Sequence, residues 1–131
     1  MNLKLSLLKD KYIVCKLNKN DRIPPWAYKG DFFSITRTFD ELSIVCLEKN
    51  IETEELDEDI LCERDWRIFK VEGPLDFSLV GIMANLSGIM KEAGVSIFAL
   101  STYDTDYIMV KNDKILVALM ALRNSGHQVT E

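Results

Sequence analysis

Residues 66–94 read WRIFKVEGPLDFSLVGIMANLSGIMKEAG, and a change of period inside this stretch decides the fold. Trp66, Ile68, Lys70 and Glu72 alternate with Arg67, Phe69 and Val71, the two-residue period of a sheet strand. Gly73-Pro74 breaks the alternation. Beyond it Leu79, Ile82, Met83, Leu86, Ile89, Met90 and Ala93 recur with the 3.6-residue period of one helix face. Asp76 is a candidate N-cap and Gly94 a C-terminal stop, so the expected helix spans 78–93.

Working towards the C-terminus, VSIFALST and DYIMVK read as strands around a turn at 101–106. DKILVALMALRNSG is a second helix, with Asp113 as candidate N-cap and Gly126 as stop, and HQVTE adds a last strand. The order after residue 64 is β-α-β-β-α-β, the ferredoxin-like unit in which two helices cover one face of an antiparallel sheet.

The first half is weaker. MNLKLSLL alternates at Leu3, Leu5 and Leu7, and Lys9-Asp10 could turn it into the strand YIVCKL. Pro24 and Pro25 start a short helical turn that Gly30 ends. FFSITRT and LSIVCLE are strands around Phe39-Asp40-Glu41. KNIETEELDEDIL is read as an acidic, solvated connection and as the domain boundary. The expected class is therefore α+β: a degenerate unit at 1–63 and a complete unit at 64–131, sharing a core.

The 131 residues carry a net charge of −5 with a pI near 4.9, and no cluster of Lys and Arg. A duplex-binding surface needs such clusters to displace counterions, so nucleic acid and anionic membranes are not expected partners. The longest apolar stretch falls far short of the roughly 20 residues a membrane span needs. Cys15, Cys46 and Cys62 are odd in number and lack the close spacing of a zinc site or a disulfide framework. Buried free thiols in a reducing cytoplasm are the expectation.

No nucleophile–base signature, zinc motif or phosphate-binding glycine pattern is present. His127 reads as a surface residue at a strand start. Asp104 and Asp106 lack the further oxygens a hard cation requires. No metal, no cofactor and no enzymatic activity are expected. The chemistry that remains is recognition. The N–H groups of a helix start after Gly73 suit a carboxylate. Gly81 either lets a ligand approach or serves close helix–sheet packing. The string Ser101, Thr102, Tyr103, Asp104, Thr105, Asp106 is rich in hydroxyls and carries two acids, which suits an ammonium. It also suits a plain turn.

The pattern W-R-x-x-x-V-x-G-P-L-D-F at 66–77, followed by S-T-Y-D-T-D-Y at 101–107, resembles small bacterial ACT-domain proteins. IPPWA, FFSITRT and ELSIVC in the first half resemble them too, and the second half is similar to the amino-acid-binding modules of CASTOR-type arginine sensors. The resemblance implies tandem ACT-type units, a free amino acid as ligand at a unit–unit interface, a regulatory role and a homodimer. Carried onto this chain, the ligand loop is 73–81 with Asp76, Phe77, Ser78 and Gly81, and the facing element is 101–106. Asp106 or Asp104 would take the ammonium, N–H groups near Phe77 and Ser78 the carboxylate, and Tyr103 would form a wall. The rival reading is an interaction or scaffold protein whose pocket has been lost.

Overall fold

In the computed structural model, the described residues are 1–51, 56, 58–73 and 80–131. The chain is α+β, and its residues cluster into two units, 10–66 and 1–9 with 67–131. Each unit has its own apolar cluster.

The 10–66 unit contains β2 (Tyr12–Leu17), β3 (Ser34–Arg37), β4 (Leu42–Leu47) and residues 61–66 of β5 (Leu61–Val71), after β1 (Lys4–Leu7) of the other unit. Its strand order is β3-β4-β2-β5, all neighbours antiparallel. Alternation sends Ile13, Cys15 and Leu17 of β2 and Leu42, Ile44 and Cys46 of β4 into the cluster. A 3-10 turn, Pro25–Tyr28, stands where a ferredoxin-like unit has its first helix, and plugs the cluster with Trp26 and Ala27. Asn50 holds that turn by donating to the carbonyl of Lys29 at 2.9 Å. Gly30, at φ 96°, follows; a Cβ there would collide with the side chain of Leu47.

The strand expected to begin at Trp66 begins instead at Leu61. Leu61, read as the last residue of the solvated connection, is instead paired with Lys16 of β2. A β-bulge sits between the pairs Tyr12↔Trp66 and Val14↔Glu63. Asp65 lies within it at φ 64°, a left-handed backbone that costs a non-glycine residue free energy. Glu48 accepts the Asp65 N–H at 2.8 Å, and Lys11 reaches the Asp65 carboxylate at 3.2 Å. These contacts hold the bulge open.

The other unit contains β1, residues 67–71 of β5, α1 (Ile82–Glu92), β6 (Phe98–Ser101), β7 (Asp106–Lys111), α2 (Ile115–Asn124) and β8 (Gln128–Thr130). Its strand order is β8-β1-β5-β7-β6. The β1–β2 hairpin expected from Lys9-Asp10 does not form. β1 is antiparallel to β5 and parallel to β8, with Leu5 opposite both Val71 and Val129. The reason is burial: Leu5 and Leu7 enter the cluster of Phe69, Val71, Leu86, Ile108 and Val129.

Helix α1 puts Ile82, Leu86 and Met90 inward, and α2 puts Ala118, Leu119 and Leu122 inward. Helix α1 starts at Ile82, after Gly81, whose φ of 83° cannot continue a right-handed helix; the expected start at 78 lies outside the described residues. The proposed caps fare differently. Asp76 lies outside the described residues. Asp113 sits in a 3-10 turn, Asn112–Lys114, and α2 begins after it with no side-chain cap bond. Both expected stops hold: Val95 N–H returns to Met90 and His127 N–H to Leu122.

Candidate functional site

The β6–β7 hairpin ends at the pair Ser101↔Asp106, and residues 102–105 close it. The turn is built from its own hydroxyls. Thr102 N–H donates to the Thr105 carbonyl at 2.8 Å, and the Thr102 hydroxyl accepts the Thr105 N–H at 3.4 Å. Ser101 Oγ donates to Asp106 Oδ1 at 2.6 Å, which sets the carboxylate's direction. Thr105 is buried, and its hydroxyl donates to the carbonyl of Val71 at the end of β5.

This last bond places the turn. From Val71 the chain runs through Glu72 and Gly73 into residues 74–79, then to Gly81 and α1. The hydroxyl-rich turn and the end of the strand that leads to the helix are thus joined inside one unit, where the sequence left their meeting to an interface. Of the expected ligand residues, Ser101, Thr102, Thr105 and Asp106 are brought together. Asp104 is exposed, and Tyr103 is 80% exposed, so as a wall it would stand proud of the turn. Asp76, Phe77 and Ser78 lie outside the described residues. A Cβ on Gly81 would meet nothing within 4 Å. Close helix–sheet packing is therefore not the reason for this glycine; its positive φ is.

Sequence reasoning missed His127. It is buried rather than on the surface. Its Nδ1 accepts the Leu3 N–H at 2.9 Å, and its Nε2 donates to Asn85 Oδ1 at 2.8 Å. The pair of bonds fixes the neutral Nε2–H tautomer. Burial, with the terminal ammonium nearby, pushes the imidazole pKa below its ordinary 6.5. The signal was parity: His127, one residue before β8, is two positions from buried Val129, with exposed Gln128 between them.

Among the described residues no group of three His, Cys, Asp or Glu is arranged to hold a metal, and no helix is long and apolar enough to cross a membrane.

An ACT-domain family model matches residues 61–124, and a model of an N-terminal domain matches 10–54. No curated protein matches the sequence. Among solved structures, protein Atu0741 from Agrobacterium tumefaciens is 36% identical over 98% of this chain and 92% of its own, with a TM-score of 0.87. Protein VC0802 from Vibrio cholerae shares the fold at 19% identity, TM-score 0.73, over 95% of this chain and 91% of that one. The ligand-free regulatory subunit of aspartate kinase from Thermus thermophilus shares it at 11% identity and a TM-score of 0.62, over 92% and 96%. The strand–helix–hairpin–helix arrangement around Val71 and Thr105 is thus that of an ACT domain, and the chain belongs to the same family as Atu0741.

Proposed function

We propose that this protein is a non-catalytic regulatory module that binds a free amino acid on its ACT unit. The observation that carries the reading is the Thr105–Val71 hydrogen bond, which sets a carboxylate- and hydroxyl-bearing turn beside the strand end leading to the helix. Asp106 takes the ligand ammonium, with Ser101, Thr102 and Thr105 completing its hydrogen bonds. The loop containing Asp76, Phe77 and Ser78 supplies N–H groups to the carboxylate. Gly81 gives that loop its exit into α1. Asp104 and Tyr103 form the outer rim. The ACT match supports the ligand class, and the fold shared with an aspartate kinase regulatory subunit supports the role. The 10–66 unit, whose strand order is ferredoxin-like with a 3-10 turn for a helix, is the degenerate partner in a tandem ACT arrangement.

In this reading a second copy of the chain closes the site, and the protein works in the cytoplasm, where free amino acids report metabolic state. A thermal-shift screen of the common amino acids tests the proposal. A true ligand at about 100 times its Kd stabilises the fold by roughly 2.7 kcal/mol. A screen in which no amino acid raises the melting temperature sinks it.

One observation favours an interaction protein instead. Leu116 and Met120 of α2 are 69% and 63% exposed, one helical turn apart. A silent screen together with a protein partner lost on Met120→Lys would establish that alternative.

A further inference from the structure

The chain's three thiols all fall in the 10–66 unit. Cys15 on β2 stands directly across from Cys62 on β5, with Lys16↔Leu61 and Val14↔Glu63 fixing the register on either side. The two Sγ atoms are 3.1 Å apart. Opposed residues of an antiparallel pair have Cα atoms about 4.5–5.5 Å apart, inside the roughly 4.4–6.8 Å range a disulfide spans. The backbone spacing of such a directly opposed pair therefore admits a disulfide.

Cys46 is the competitor, and geometry disfavours it. It sits on β4, and β2 lies between β4 and β5, which separates it from Cys62 by a strand. Opposite Cys15 on β4 is Ile44, so Cys46 is only diagonal to Cys15. Diagonal neighbours are about 7–8 Å apart, too far for the Cβ spacing of about 3.5–4.5 Å that a disulfide demands. Access also differs. Cys15 and Cys46 are buried, while Cys62 is half-buried on the strand's opening residues.

We propose that Cys15 and Cys62 form a reversible thiol–disulfide site, oxidised by a small-molecule disulfide of the glutathione class. Cys62, the accessible thiol, enters as thiolate and attacks one sulfur of the oxidant. A mixed disulfide forms and one small thiol leaves. Cys15 then loses its proton and attacks Cys62 Sγ, expelling the second small thiol. Two protein thiols are oxidised, the oxidant's disulfide is reduced to two thiols, and the protons of Cys15 and Cys62 end on them. Burial, and then the adjacent Cys62, push the Cys15 thiol above its ordinary range, so Cys62 rather than Cys15 makes the first attack. Burial pushes Cys46 up to about 12, which keeps it a poor competitor. The bond would tie β2 to the start of β5 and pin the intervening chain.

The reduced protein is equilibrated in glutathione buffers of rising oxidised fraction, quenched in acid, unfolded, alkylated and peptide-mapped. Two alkylation sites should disappear together, with the Cys15 peptide linked to the Cys62 peptide and Cys46 still alkylated. Far-UV circular dichroism should not change, the melting temperature should rise, and a reductant should reverse both the link and the rise. Cys46→Ala should form the same link, and Cys62→Ser should lose both the link and the rise. Glutathione persisting on Cys62 with Cys15 alkylated, a link through Cys46, or three alkylated thiols throughout would each overturn the proposal.

Discussion

The Thr105 hydroxyl donates to the carbonyl of Val71, 34 residues earlier in the chain. One buried hydrogen bond thereby couples the β6–β7 turn to the end of β5. Thr105→Val keeps the shape and removes the donor, depriving a buried acceptor of its partner. The expected cost is about 1–3 kcal/mol. A urea titration should show a lower midpoint with an unchanged slope. An unchanged midpoint would mean the bond is not formed in solution.

Asp106 has a structural partner as well as a proposed ligand role, since Ser101 donates to its Oδ1. Asp106→Asn keeps that acceptor and removes the charge. Stability should change little, while affinity for the best amino acid of the screen should fall about 10- to 150-fold, the equivalent of a charge-assisted bond of roughly 1.5–3 kcal/mol. Calorimetric titration of both proteins reads this directly. Undiminished affinity would remove Asp106 from the ammonium site.

His127 is the chain's single histidine, so its imidazole signals are unambiguous in an NMR titration. The folded-state midpoint should lie below 6.5, because burial and the terminal ammonium disfavour the imidazolium. The unfolded chain then binds more protons between the folded pKa and 6.5. Stability from this group is therefore complete above about 6.5 and is lost as pH falls towards the folded pKa. Protonation of Nδ1 would also break its bond from Leu3. A midpoint at or above 6.5 would contradict the buried, neutral assignment.

The two apolar faces of the helices should respond oppositely to truncation. Leu86 is fully buried in the cluster under α1, and Leu86→Ala should cost about 2–5 kcal/mol. Leu116 is mostly exposed on α2, and Leu116→Ala should stay within about 0.5 kcal/mol of the parent. Chemical denaturation of the pair checks both. Comparable losses would show that Leu116 is covered in solution.

What the amino-acid sequence determined by itself was whatever depends on neighbours along the chain. The switch from two-residue to 3.6-residue periodicity around Gly73 is local, and it yielded the strand, the helix face of Ile82, Leu86 and Met90, the hairpin and the stops at Gly94 and Gly126. The hydroxyl-rich turn at 101–106 was equally visible, since each of its internal bonds spans a few residues.

Tertiary structure decided what depends on distant residues. Leu5 and Leu7 alternate in the same way whichever strand they pair with, and only the buried faces of β5 and β8 select their place. His127 looks polar and terminal until Leu3 and Asn85, 124 and 42 residues away, satisfy both ring nitrogens. Likewise the spacing of Cys15 and Cys62 carries no disulfide signal. Their opposition follows from the register of two strands 47 residues apart, set by the bulge at Asp65 and by the burial of a whole sheet face. Periodicity specifies which side of an element is apolar; only the competition among apolar faces for one another decides which elements meet.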